Sequence, residues 1–150
     1  CRSFIPPCAT QKREKVDDFY AARSRSIPPL PWPTIAPPFS LGLARGVWRE
    51  VVGPEPFPIP AYSRDWGETG PREVLAEGAR RMMIEVEPAV AGPGALVLFR
   101  MKPRAIAKHV GILIGPDTFL HAYERLGVIE ELLTQSWRRR IAFAFLFPKR

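Results

Sequence analysis

The chain has 150 residues and only two histidines, and both fall in one stretch, AKHVGILIGPDTFLHAYE, from Ala107 to Glu124. His109 and His121 lie in two short apolar runs separated by Gly115, Pro116 and Asp117, a composition suited to a turn between antiparallel strands. A three-residue turn pairs Ile114 with Thr118, and counting back sets Gly111 opposite His121 and His109 opposite Tyr123. Both imidazoles then project from one sheet face, diagonally at roughly 7 to 8 Å, and the glycine facing His121 leaves room for a ring. A loop of two or four residues would send one ring to the other face, because side chains alternate with a period of two. Such a pair suits general-base chemistry, with one ring taking a proton and the other orienting it.

A metal centre would need a third and a fourth ligand. No further histidine exists, and Cys1 and Cys8 lie together at the far end of the chain, too few for a disulfide framework or a four-ligand zinc site. No metal and no cofactor is therefore expected. A hydrolase would need a nucleophile within hydrogen-bond reach of the base, and these two runs supply none. A helix N-terminus at Ser40 can, because its partial positive charge favours a developing anion. The plainer role for Ser40 is a helix cap worth about 1 kcal/mol.

The elements that must position these residues follow from periodicity. Gln11 to Ser24 predicts a polar helix with Val16, Phe19 and Tyr20 on one face. From Ile27 to Pro38 half the positions are proline, so this segment is extended or irregular and reads as a stiff connector. A second helix is expected from Leu41 to Val52, with Leu41, Ala44, Val47, Trp48 and Val51 as its apolar stripe and Ser40 as its cap. Alternating prolines from Pro54 to Pro60 make the next segment an extended loop. A third helix should open at Pro71 and run to about Glu85, with Leu75, Ala79, Met82 and Val86 inward.

After Gly92-Pro93-Gly94 the pattern turns strand-like. ALVLFRMK, IAKHVGILIG, TFLHAY, GVIEEL and RRIAFAFLFP are short apolar runs separated by turns, which describes an antiparallel β-meander. In the last run Ile141, Phe143, Phe145 and Phe147 share one face, expected to meet the core, and Ala142 and Ala144 the other. Helices first and an antiparallel sheet after make the class α+β.

With 46% hydrophobic residues the chain is long enough for one domain with a core of its own. A net charge of +7 suits an anionic partner without choosing one. Trp137 beside Arg138, Arg139 and Arg140 is the one basic-aromatic cluster, but no recognisable nucleic-acid module surrounds it, so no nucleic acid is expected as partner. No apolar run approaches the ~20 residues of a membrane span, and no signal peptide is visible in the sequence as it stands.

Taken together, LGLARGVWREVVG, PAYSRDWGE, PGALVLFRM, AIAKHVGIL, FLHAYE and WRRRIAFAFLFP resemble the NlpC-type (NlpC/P-sixty) cell-wall peptidases, specifically the branch of phage and gene transfer agent tails. The resemblance covers about Leu41 to Pro148. It implies a papain-like α+β fold with N-terminal helices on the sheet. It further implies a nucleophilic cysteine at a helix N-terminus, a histidine on the adjacent sheet, a third polar residue on the next strand, and the stem peptide of peptidoglycan as substrate. Residues 39–150 would form the peptidase-like domain and residues 1–38 a poorly matched N-terminal segment. His109 falls on the base and His121 on the orienting position, in agreement with the parity argument. Such a protein would be made in the bacterial cytoplasm and act at the cell wall within a phage-like particle, beside tail proteins.

The nucleophile does not carry over. Where the family has Asp-Cys-x-Gly-Leu, this chain reads Phe39-Ser40-Leu41-Gly42-Leu43, so Ser40 stands at the cysteine position. The family's Pro-Gly-Asp is Pro93-Gly94-Ala95 here, and the family's Gly-Thr-Pro-Tyr cleft segment has no counterpart between Ser26 and Pro38. Apart from Ala95 these losses cluster between Arg25 and Ser40, the pattern of a shifted reading frame more than of gradual divergence. A serine hydroxyl is far less acidic than a thiol, so the expectation is an impaired hydrolase, with a non-catalytic wall-binding or tail-structural protein as the alternative.

Overall fold

The computed structural model describes residues 39–56, 71–123 and 127–148, and for Phe39 and Ser40 the backbone alone. The expected helix at Gln11 to Ser24, the proline-rich connector and most of the loop that follows Pro54 lie outside the described residues. Helix α1 spans Phe39–Val51. Ser40 therefore sits in its first turn rather than at the cap, a shift within the usual uncertainty of helix ends. The predicted stripe buries Ala44, Val47 and Trp48. The helix stops at Gly53, whose φ of 132° is open to glycine and strained for other residues, and whose N–H reaches back to the Trp48 carbonyl.

Helix α2 is shorter than its periodicity suggested, Val74–Arg80 instead of Pro71 to Glu85. Ala76 and Ala79 are its buried residues, while Met82 and Met83, beyond its end, pack against the same core. Ile84–Val86, expected as helix, forms strand β1 at one edge of the sheet, and a 3-10 turn follows at Pro88–Val90. The ladder with β6 (Ile141–Leu146) decides this, because it satisfies the backbone of β1 and suits its two β-branched residues.

The remaining strands are β2 (Leu96–Phe99), β3 (His109–Leu113), β4 (Thr118–Tyr123) and β5 (Gly127–Leu132), with a short helix α3 (Gln135–Arg138) before β6. All pair antiparallel in the order β1-β6-β2-β3-β4-β5. The expected meander holds for β2 to β5. It fails at the last strand, which crosses back to the far side of β2. The class is α+β, as the order of elements implied.

The sheet has an apolar layer on each side. Ala44, Val47, Trp48, Ala76 and Ala79 from the helices meet Leu96, Leu98, Val110, Ile112, Phe145 and Phe147 on one side. Val97, Phe99, Leu113, Phe119 and Ala144 form the other, closed by Leu133 and Trp137. The face assignment of β6 holds for Phe143, Phe145, Phe147 and Ala144 but not for Ile141 or for Ala142, which packs on the helix side with Phe143. A register shift against Leu98 and Phe99 sets Phe99 opposite Ile141, so Ile141 packs in the second layer with Ala144.

Candidate active site

The first hairpin has the register that an odd loop requires. The Ile114 N–H bonds the Thr118 carbonyl, and Gly111 lies opposite His121. Both histidines therefore share the face of the second layer. His109 Nε2 and His121 Nδ1 lie 2.9 Å apart, and the ring centroids 5.0 Å apart at 76°. Gly111 is required, but not by His121: a Cβ there would come within 2.8 Å of Phe99 Cε2, 3.0 Å of Phe119 Cδ2 and 3.3 Å of the Leu120 carbonyl oxygen. The space it vacates is taken by two phenyl rings, which in turn pack on the imidazoles.

Sequence reasoning missed two members of the cluster. His121 Nε2 lies 2.9 Å from Glu131 Oε2 on β5, and the Trp137 indole N–H donates to Glu131 Oε1 at 2.8 Å. A signal for Glu131 existed. Counting across the second turn, where Tyr123 pairs with Gly127 and His121 with Ile129, puts Glu131 opposite Phe119 on the histidine face. Trp137 had no such signal, because α3 is a four-residue helix outside any ladder, held by the Thr134 cap, whose hydroxyl accepts from the Trp137 N–H at 3.5 Å. The indole stacks on His109 at 5.9 Å and meets Phe99, Phe119 and His121 edge-on. Phe119 stacks on His121 at 4.8 Å, and Arg140 lies over the indole at 5.5 Å. Trp137 and its arginine neighbour thus form a wall of the histidine cluster.

His121 is fully buried and His109 partly buried. Burial holds the His109 ring neutral and lowers its pKa from 6.5 to about 4, with the neighbouring His121 lowering it further and the Glu131 carboxylate working against both. At neutral pH the ring therefore carries a free lone pair, the form a general base requires. Among the described residues none hydrogen-bonds His109 Nδ1.

The segment leading into His109 is pinned from a distance. Glu73, just ahead of α2, accepts from the Ala107 N–H at 2.8 Å and pairs with Arg100 at 2.6 Å, and the Arg100 side chain also donates to the Ala105 carbonyl. These contacts fix the loop between β2 and β3 at its entry to the site. Helix α1 packs on β3 and β4 from the opposite face. Ser40 lies at the start of that helix, and its side chain is outside the described part of the structure. Ala95, where the resemblance implies an aspartate, is fully buried in the second layer. Among the described residues there is no group of three or more His, Cys, Asp or Glu arranged to hold a metal ion, and no helix long and apolar enough to cross a membrane.

No family model matches the chain, and no curated protein matches it in sequence. Among solved structures it is similar to a Staphylococcus aureus protein described as similar to lipoprotein, NLP/P60 family, with a TM-score of 0.53 and 16% sequence identity. The match covers 99% of this chain and 44% of that one, so the chain spans less than half of its structural neighbour. The likeness is one of fold: the sheet that brings His109 and His121 together is an NLP/P60-like α+β sheet.

Proposed function

We propose that this chain is a peptidoglycan stem-peptide hydrolase domain of the NlpC/P-sixty type, papain-like in arrangement and carried by a phage or gene transfer agent tail, and that its activity is impaired by serine at position 40. The observation that carries the reading is the His109–His121 pair, bonded Nε2 to Nδ1 on adjacent strands of an NLP/P60-like sheet. In this reading His109 is the general base, His121 orients it, and Ser40, in the first turn of α1, stands where the family carries its thiol. Made in the cytoplasm, the protein acts at the cell wall among tail proteins.

The impairment follows from acidity. A cysteine thiol ionises near pH 8.5 and is pushed lower by a helix N-terminus, so it attacks as a thiolate. A serine hydroxyl attacks only as its proton is removed, and it depends on well-placed donors for the oxyanion. The serine at position 40 and the alanine at position 95 favour a second reading, a non-catalytic protein that keeps the fold to bind the wall or to build the tail.

Digestion of purified peptidoglycan by the wild type and by Ser40→Cys separates the two. Release of stem-peptide fragments by the cysteine variant, with little or none from the wild type, is expected. A thiolate at position 40 would also favour the charged imidazole, so the His109 pKa should rise in that variant. Two inactive proteins that still cosediment with peptidoglycan would replace the hydrolase reading with the binding one.

A further inference from the structure

We propose that Glu131, held by the Trp137 indole, is the positioning residue that sets the proton order of the two histidines and leaves His109 Nδ1 as the bare, proton-accepting nitrogen. The inference uses the reading of His109 as the base, but its argument and its test concern protons alone. An indole N–H can only donate, so Glu131 Oε1 is an acceptor in the 2.8 Å bond from Trp137. The other carboxylate oxygen of Glu131, Oε2, faces His121. At 2.9 Å from that oxygen, His121 Nε2 must carry hydrogen and donate. In this order its Nδ1 is the acceptor. His109 Nε2, 2.9 Å away, must donate to it, which leaves Nδ1 of His109 unprotonated. Each donor fixes the next, and the chain ends on a lone pair. When His109 takes up a proton at Nδ1, the existing bonds from Nε2 to His121 and from His121 to Glu131 remain in place and stabilise the added charge.

The packing around the relay makes the order consequential. His121 is fully buried between Phe119 and Trp137, so no solvent stands ready to satisfy a ring nitrogen facing the wrong way. Glutamine at 131 would invert the order. Because Trp137 can only donate, the carboxamide oxygen must turn to the indole and the NH2 group to His121. His121 then accepts at Nε2 and donates from Nδ1, and His109 is driven to carry its hydrogen on Nδ1. Removing the indole N–H as well, with Trp137→Phe, lets the glutamine turn its oxygen back to His121 and restores the original order.

The experiment is long-range proton–nitrogen correlation NMR of the full chain with 15N-labelled histidine at neutral pH, which distinguishes a ring protonated on Nε2 from one protonated on Nδ1. The expected result is Nε2–H for both histidines in the wild type, Nδ1–H for both in Glu131→Gln, and a return to Nε2–H in the Glu131→Gln, Trp137→Phe double variant. A wild-type His109 protonated on Nδ1 would overturn the proposal whether or not the variants fold. So would a folded Glu131→Gln in which the wild-type order persists. In a Ser40→Cys background that cuts peptidoglycan, Glu131→Gln should lower kcat on the order of 10²- to 10⁴-fold with little change in KM, the scale of loss for a base held in the wrong tautomer. If no variant cuts peptidoglycan while the proton order is as stated, the hydrolase reading fails and this one stands.

Discussion

Stability should fall as the solution is acidified through the window set by His109. The ring titrates near 6.5 in an unfolded chain and is pushed down to about 4 in the folded one, by burial first and by His121 second. Between these values the unfolded chain binds a proton at this position and the folded chain does not, so unfolding is favoured as pH drops. The contribution is fully present above about pH 6.5, declines by about 1.4 kcal/mol per pH unit through the window, and levels off below about pH 4. Summed over the window it amounts to about 3 kcal/mol, a large part of the 5–15 kcal/mol that holds a typical domain together. Urea unfolding at half-unit steps from pH 7.5 to 4.5, followed by tryptophan fluorescence, measures it. His109→Gln is the control, since its carboxamide can still donate to His121 without titrating. Carboxylates that titrate at the acid end act in both proteins, so the difference between the two curves isolates His109. That difference should shrink steadily as pH falls, the wild type losing more. A difference constant to within about 0.5 kcal/mol, or one of opposite sign, would refute the assignment of His109 as a ring kept neutral by burial.

Gly111→Ala should destabilise the protein by about 2 kcal/mol, lowering Tm by roughly 4 to 8 °C in scanning calorimetry, because its methyl overlaps two fully buried phenyl rings. A change under about 0.5 kcal/mol would mean that the rings yield easily. Glu73→Ala should cost about 1–3 kcal/mol and speed hydrogen exchange at the Ala107 amide, which loses its acceptor while still buried. Glu73→Gln keeps an acceptor there and should protect the amide nearly as well. Equal exchange in the wild type and Glu73→Ala would exclude Glu73 as the tie that holds the entry to β3.

The histidine pair was legible because an antiparallel hairpin is a local object. Turn length fixes register, register fixes which side chains share a face, and the Gly115 to Asp117 turn is written in consecutive residues. The helical stripe of α1 was legible for the same reason, since its spacing repeats within one segment. Long-range competition governs the places where the pattern misled. Met82 to Val86 continue a helical period, yet β6 offers Ile84–Val86 a ladder that the helix cannot match. Ile141 follows the alternation of its strand, yet the register shift against β2 turns it to the opposite layer. Neither partner is adjacent in sequence, so neither outcome is encoded locally.

The sequence by itself determined the α+β class, the facing of His109 and His121, and the serine at position 40, because these depend on residue type and short-range periodicity. Only the tertiary structure decided what surrounds the histidines. Glu131, Trp137, Phe99 and Phe119 come from four separate elements, and Glu73 holds the loop before His109 from 34 positions upstream of Ala107. Burial and hydrogen-bond order are properties of that assembled neighbourhood. They turn an ordinary imidazole into one that stays neutral well below its usual pKa.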